Sequence, residues 1–318
     1  MRYRTAAGVL FALIILVATG AASGAVTIPG VTFEPVVYPD YADYRGIQRY
    51  APTPQAYQAA IDDKRFVMER VGYPSDGLRV YAYLYRPLHL PKGSRLPVVV
   101  FNRGSYTRKD FSPEVLMPAR RLAEQGYVVI APMLRGSGGA AGHDEMGGAD
   151  VHDIFNIVPV LRQLGYVDVD RLFLYGESRG AIMSMIAARD HFPARAIAVY
   201  GLTADLSSQL AEGMPGRAIA SRIWPDFAAH QAKIIEERSP IRWLDRISTP
   251  VLLMNGSDDG SVSPTNALDL AREMNRLGKP YELKIFHGEK HVLSGRAAER
   301  DADAVRWFKR FDLPNNGE

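Results

Sequence analysis

Five residues, Gly176-Glu177-Ser178-Arg179-Gly180, carry the pattern G-x-S-x-G in a setting that gives it chemical meaning. The apolar run Arg171-Leu172-Phe173-Leu174-Tyr175 precedes them and reads as a strand, and the stretch 181–188 that follows reads as a buried helix. A strand-to-helix turn this sharp strains its central residue, while glycines on either side let the chain pass. The turn lifts the Ser178 hydroxyl above the sheet, at a helix N-terminus. A serine hydroxyl is a poor nucleophile at neutral pH, so a base must take its proton during attack. Histidine suits that task, with an unperturbed pKa of about 6.5. A carboxylate must then orient the imidazole and stabilise the imidazolium.

Both partners occur downstream in the order Ser, acid, His. The run 250–256 is short, apolar and closed by a glycine, which predicts a buried strand opening into a loop that holds Asp258 and Asp259. The alternating stretch 281–286 predicts another strand, running into His287-Gly288-Glu289-Lys290-His291. Two acids and two histidines are therefore candidates, all on loops just past strand ends, the edge where open α/β sheets bind ligands. A tetrahedral intermediate also needs fixed N–H donors for its oxyanion. One is the backbone N–H of Arg179. The second is expected from Asn102-Arg103-Gly104-Ser105-Tyr106, the loop after the strand 96–101, at the N–H of Ser105, with Gly104 as the alternative.

These segments together resemble the catalytic domain of prolyl-oligopeptidase-type (S9-like) serine hydrolases, within the α/β-hydrolase superfamily. Phe101-Asn102-Arg103-Gly104-Ser105 is similar to that family's His-Gly-Gly or Asn-Arg-Gly-Gly loop, and Leu134-Arg135-Gly136-Ser137-Gly138-Gly139 to its Arg-Gly-Ser-Gly-Gly turn. Gly256-Ser257-Asp258-Asp259-Gly260-Ser261-Val262 fits its Gly-x-x-Asp-x-x-Val, which selects Asp259 over Asp258. Gly288-Glu289-Lys290-His291 fits its Gly-x-x-His, which selects His291 over His287. The resemblance runs over roughly residues 75–312 and implies a catalytic set of Ser178, Asp259 and His291. It also implies a structural ion pair between Arg135 and Asp153. Ser105 stands where the family usually has a second glycine, and Ala181 where a glycine is common; neither change removes a backbone donor. Large members carry a β-propeller before the hydrolase domain, and only about fifty residues separate the leader from the first hydrolase-like strand here, so gating by a propeller is not expected.

Composition agrees with a packed α/β domain: 47% of the 318 residues are hydrophobic. Alternating strand and helix patterns without a linker, repeat or low-complexity run favour one such domain. The expected fold is a mostly parallel central sheet flanked by helices, with a partial helical cap. Residues 1–25 read as a signal peptide: Arg2 and Arg4, an apolar run over 9–18, then small residues with Ser23 and Ala25 as cleavage determinants. The mature chain would begin near Val26 and be exported to the periplasm or beyond. The apolar run is shorter than the roughly 20 residues a transmembrane helix needs, an uncleaved anchor being the alternative. Two of the +3 formal charges are Arg2 and Arg4, so the mature protein is near neutral, with no electrostatic case for nucleic acid or a membrane surface. No cysteine is present, which excludes disulfides and thiolate metal sites.

The segment 26–74, rich in tyrosine (Tyr38, Tyr41, Tyr44, Tyr50, Tyr57), is expected to wrap the 75–318 hydrolase domain as an extension and in part to border the active site. The stretch 79–86 predicts a half-exposed strand, 113–124 a helix, 127–131 a strand, 151–164 a helix, 196–200 a strand, and 263–277 and 297–311 the last two helices. Residues 206–245, with Met214, Trp224 and Trp243, interrupt the alternation as a cap-like insertion suited to an apolar acyl or alkyl group, or as ordinary helical packing. His143-Asp144-Glu145 is consecutive and lacks a second ligand set, so no metal is expected. His152 reads as a surface or core histidine. Gly136 to Gly148 lacks the Lys-Ser/Thr of a phosphate loop. The chain thus reads as an exported serine hydrolase without cofactor, acting on a small ester or a short peptide. A non-catalytic binding protein of the same fold, or an acyltransferase using the same three residues, are the alternatives.

Overall fold

A computed structural model describes residues 28–44, 46–105, 114–211 and 217–312, with side chains of 217–219 excepted. The leader, the cleavage site, Tyr106, Pro113 and Met214 lie outside the described residues. The chain opens with strand β1 (Thr32–Pro35), helix α1 (Pro54–Ile61), β2 (Phe66–Ser75) and β3 (Leu78–Pro87). It continues through β4 (Leu96–Asn102), α2 (Leu116–Ala123), β5 (Val128–Pro132), α3 (His152–Asn156), α4 (Val158–Gln163), β6 (Val167–Glu177) and α5 (Arg179–Arg189). Then come β7 (Ala194–Tyr200), α6 (Leu206–Ala211), α7 (Arg217–Ile223), α8 (Phe227–Glu237), β8 (Val251–Gly256), α9 (Thr265–Arg276), β9 (Tyr281–Phe286) and α10 (Ala297–Phe311).

The strands form one nine-stranded sheet in the order β1-β2-β3-β5-β4-β6-β7-β8-β9. From β5 through β9 every pairing is parallel, whereas β1, β2 and β3 add an antiparallel flank. Helices cover both faces, so the central strands are apolar at every position rather than at alternate ones. In β6, Leu172 and Leu174 enter one layer, with Ile182, Met185 and Ile186 of α5 and Leu270 of α9. Phe173 and Tyr175 enter the other, with Leu116 of α2 and Phe308 of α10. Helix α5 is buried from Arg179 to Ala188, as the absence of a polar stripe requires. The parallel strands point their C-terminal ends, at Asn102, Glu177, Tyr200, Gly256 and Phe286, toward one edge.

Three expectations need correction. The helix over 151–164 is divided into α3 and α4 at Ile157. Pro159 has no N–H to give the carbonyl of Phe155, and its ring crowds that carbonyl. The 26–74 segment does not only wrap the domain, because β1 and β2 lie in the sheet itself. The strand over 79–86 is not half-exposed: β3 sits between β2 and β5, and Ala82 to Tyr85 are buried on both faces. Between β1 and β2, helix α1 starts at a Thr53 cap that accepts the Ala56 N–H at 3.1 Å, with Pro54 at its first position.

Candidate active site

Ser178 stands between β6 and α5 with φ +50° and ψ −116°, a conformation that costs a non-glycine residue of order 1–3 kcal/mol. Its N–H donates to the Tyr200 carbonyl at 2.8 Å, which ties the turn to β7. The flanking glycines are required by close approach. A Cβ on Gly180 would lie 1.8 Å from the Asn102 carbonyl oxygen, and one on Gly176 would lie 2.6 Å from the Gly180 oxygen.

The turn after β9 brings His291 to this serine: His291 Nε2 is 2.8 Å from Ser178 Oγ. The turn after β8 brings Asp259, whose Oδ2 is 2.8 Å from His291 Nδ1. The Asp259 side chain is fully buried. Its Oδ1 accepts the N–H groups of Ser261 at 2.8 Å and Val262 at 2.9 Å. A carboxylate facing Nδ1 has nothing to donate, so the ring proton belongs on Nδ1 and Nε2 is left to accept from the serine hydroxyl. Gly201, just past β7 at φ +61°, makes room for the ring: a Cβ there would lie 2.7 Å from His291 Cε1. The rivals stand elsewhere. Asp258 is exposed and bonded to Ser257 Oγ, and His287 is exposed beyond β9.

Arg179 opens α5, where the first N–H groups have no intrahelical acceptor. Ser105, exposed and at φ +65°, ends the described part of the loop after β4. The Arg179 side chain turns away from solvent and pairs with Asp144 at 2.7 Å and Asp150 at 2.8 Å. Burial pushes the Asp144 carboxyl up from its ordinary range, against the opposing Arg179 charge. The loop bearing Asp144 is held by the 206–245 insertion. Trp224 Nε1 donates to the Glu145 carbonyl at 2.6 Å, Arg238 Nε donates to that of Met146 at 2.9 Å, and His143 Nε2 lies 2.8 Å from the Ile223 carbonyl. His143-Asp144-Glu145 is thus part of a clamp. Among the described residues no group of three or more His, Cys, Asp or Glu stands close enough to hold a metal ion. Arg135 does pair with Asp153, at 2.7 Å, and exposed His152 reaches Asp76 at 2.7 Å.

Sequence reasoning missed the buried polar groups behind the site. Arg300 Nη1 donates to the carbonyl of Val292, next to His291, at 2.6 Å, and its guanidinium lies 4.3 Å from the Tyr200 ring centre. Asp301 accepts from Arg300 Nε at 2.8 Å, Tyr175 OH at 2.5 Å and Arg121 Nε at 2.5 Å. A signal was present, since Arg300 and Asp301 fall on the stripe that Ala304, Val305 and Phe308 mark as buried in α10. Glu177, buried beside the serine, accepts from Tyr50 OH and Tyr200 OH, each at 2.7 Å.

The sequence model of the prolyl oligopeptidase family matches residues 115–312. An uncharacterized peptidase of Bacillus subtilis, YtmA, is 31% identical over 244 residues, covering 74% of this chain and 91% of that protein. The human acylamino-acid-releasing enzyme is 26% identical over 251 residues, 73% of this chain but only 34% of that enzyme. Among solved structures, Pyrococcus horikoshii acylaminoacyl peptidase superposes with a TM-score of 0.68 at 21% identity, over 81% of this chain and 44% of that one. A Mycobacterium tuberculosis puromycin-hydrolyzing peptidase gives 0.65 at 23% identity, over 79% and 40%. The structural likenesses show the fold, an α/β-hydrolase with a mostly parallel sheet and flanking helices.

Two predictions follow the geometry. Gly201→Ala pushes a methyl group against the His291 ring and is expected to slow fluorophosphonate labelling of Ser178 by about 10²-fold, as an ångström of misplacement does. An unchanged labelling rate would show that the ring does not need this space. For Asp301, burial alone would raise the pKa, but Arg300 and Arg121 outweigh it and hold the carboxyl below its ordinary range. A depressed folded pKa contributes stability that is fully present above the unfolded value, about 4, and is lost as pH falls through the folded one. Urea midpoints measured from pH 5 downward are therefore expected to fall more steeply for the wild type than for Asp301→Asn. Parallel curves would contradict this.

Proposed function

We propose that this chain, which belongs to the prolyl oligopeptidase family, hydrolyses an ester or amide (peptide) bond by acyl transfer through Ser178, His291 and Asp259. Membership makes it a peptidase-type serine hydrolase. The observation that carries the finer reading is the unbroken pair of 2.8 Å contacts from Ser178 Oγ to His291 Nε2 and from His291 Nδ1 to Asp259 Oδ2.

In this reading Ser178 Oγ attacks the substrate carbonyl as His291 Nε2 takes its proton, a step worth about 10²–10⁴-fold in such sites. Asp259 holds the imidazole with Nδ1–H directed at its own Oδ2, so the proton-accepting nitrogen faces the serine. The tetrahedral oxyanion takes the N–H of Arg179 and that of Ser105. His291 then protonates the leaving group, the acyl-enzyme forms, and water attacks it with His291 again as base. Support for Arg179 is its place at the first turn of a buried helix. For Ser105 it is a backbone at φ +65° on the loop that follows β4.

The substrate class follows from the company the chain keeps. The relatives' names point to peptides, including N-acylated ones. An exported location is the reading of the leader pattern at 1–25; among the described residues no helix is long and apolar enough to cross a membrane.

Ser178→Ala is expected to reduce turnover of a p-nitrophenyl ester, an N-acyl amino-acid anilide or a blocked dipeptide by about 10⁴–10⁶-fold, with thermal unfolding unchanged. Retained turnover would remove the mechanism. Expressed from its full sequence in a host with an intact secretory pathway, the protein is expected outside the cytoplasm with an N-terminus near Val26. Recovery in the cytoplasm with Met1 in place would remove the export reading.

A further inference from the structure

We propose that Tyr50 is a positioning residue for the oxyanion-binding loop, acting through Glu177 to fix the peptide between Gly104 and Ser105; the inference rests on the acyl-transfer reading above. Tyr50 lies far from the elbow in sequence, yet its hydroxyl donates to Glu177 Oε1 at 2.7 Å while Tyr200 OH donates to Oε2 at 2.7 Å. Each oxygen of this buried carboxylate thereby accepts one tyrosine hydroxyl, which favours the orientation seen.

That orientation matters because the loop rests on it. A Cβ built on Gly104 would lie 2.8 Å from Glu177 Oε1 and 3.1 Å from its Cγ. The space a side chain would take at Gly104 is therefore filled by the same carboxylate oxygen that Tyr50 holds. From the other side, Arg103 Nη1 donates to the Gly104 carbonyl at 2.8 Å. In a trans peptide the C=O of one residue and the N–H of the next point in opposite directions. Drawing the Gly104 oxygen toward the buried Arg103 therefore turns the Ser105 N–H the other way. Arg103 itself lies 3.8 Å from Glu114, and Tyr44 OH donates to Glu114 Oε2 at 3.4 Å. One tyrosine-bearing segment thus reaches two buried carboxylates, one beside Gly104 and one beside Arg103.

Without the Tyr50 hydroxyl, Glu177 Oε1 keeps its buried place with one donor fewer. Burial and the nearby Glu114 charge already push the Glu177 carboxyl up, and the Tyr200 and Tyr50 hydrogen bonds oppose them. The carboxylate then has reason to rotate, protonate or admit water, and each of these moves the surface beneath Gly104.

The test compares Tyr50→Phe with Tyr41→Phe, whose hydroxyl caps the Ala51 carbonyl within the same segment. Active sites are titrated with a fluorophosphonate, kcat and KM are measured on a p-nitrophenyl ester, and Ki is measured for phenylboronic acid, whose tetrahedral adduct carries the oxyanion. Tyr50→Phe is expected to lower kcat per titrated site by about tenfold, less than the loss of a whole oxyanion donor. KM should stay within about twofold and the boronate Ki should rise by the same factor as kcat falls, while Tyr41→Phe leaves all three alone. Glu177→Gln, which keeps shape and one acceptor, should move kcat in the same direction and guards against a poorly folded Tyr50 variant. If both variants lose only thermal stability or active fraction, with kcat per site and boronate Ki unchanged, the positioning role is overturned. Wild-type labelling at Ser178 in that case leaves the acyl-transfer reading standing, whereas an unlabelled wild type overturns that reading and this one together.

Discussion

Ionisable groups buried on both sides of Ser178, the proposed nucleophile, are the constraint around which the molecule is arranged. Glu177 and Arg179 flank Ser178, and neither is more than 3% exposed. Removing an ion from water costs several kcal/mol unless other dipoles or charges replace its hydration. The two side chains also diverge. Glu177 lies two residues beyond Tyr175 in β6 and so shares its face, which carries Tyr200 and the N-terminal segment. Arg179 begins α5, which packs on the opposite face near the 144–150 loop. Each charge therefore calls for its own set of partners from its own side of the sheet.

Those partners come from the least regular parts of the chain. Tyr50 arrives on a stretch of turns and short 3-10 segments before α1. Asp144 sits on a loop with little backbone pairing of its own, and Asp150 on the short 3-10 segment at its end. That loop is secured by Trp224 and Arg238 from an insertion whose Leu206, Ile223, Phe227, Ile234 and Ile235 make a separate apolar cluster. Arg238 is buried, which drives its pKa down against the pull of Asp150, and it gives hydrogen bonds to the carbonyls of Glu145 and Met146. These links make the insertion more than packing. It reaches the turn that carries Ser178 through the loop that pairs with Arg179, just as the N-terminal segment reaches that turn through Glu177.

The parallel half of the sheet was legible because both its faces are covered. Val98 to Phe101, Leu172 to Tyr175 and Val251 to Met254 are apolar at every position, and such runs between turn signals have few other readings. The elbow was legible because its glycines are demanded by backbone contacts that admit no Cβ. Of the antiparallel flank only β3 was, through the alternation over 79–86; β1 and β2 were not. Glu69, Arg70 and Pro74 interrupt β2, and β1 is too short to show a period, so their strand character comes from pairing. The helix over 151–164 looked continuous because its apolar spacing persists across Pro159, and spacing does not register a missing N–H. Asp259 and Asp258 are neighbours of one type, and burial that separates them depends on the turn, not on composition. Tyr50, Glu177 and Asp301 escaped because a buried polar group is recognised by its partners, and Tyr50 lies more than a hundred residues from Glu177, as Tyr175 does from Asp301.

The acid side of the site shows why such partners outweigh composition. Asp259 Oδ1 accepts two backbone N–H groups from the turn that follows it, and Oδ2 faces His291 with Asn255 Nδ2 at 3.4 Å. Rotating the carboxylate would break the two backbone bonds, each costing about 1–3 kcal/mol when a buried group is left unpaired. The acceptor for the Nδ1 proton is therefore fixed before any substrate arrives, and with it the tautomer that leaves Nε2 free to receive a proton. Arg300 adds a second restraint from α10 by holding the Val292 carbonyl, so the imidazole is set by its ring partner and by its own backbone. Ser178, pinned to Tyr200 through its N–H, then faces an imidazole whose direction is already set. The reactivity proposed for that hydroxyl thus depends on hydrogen bonds made by the residues around it as much as on the serine itself.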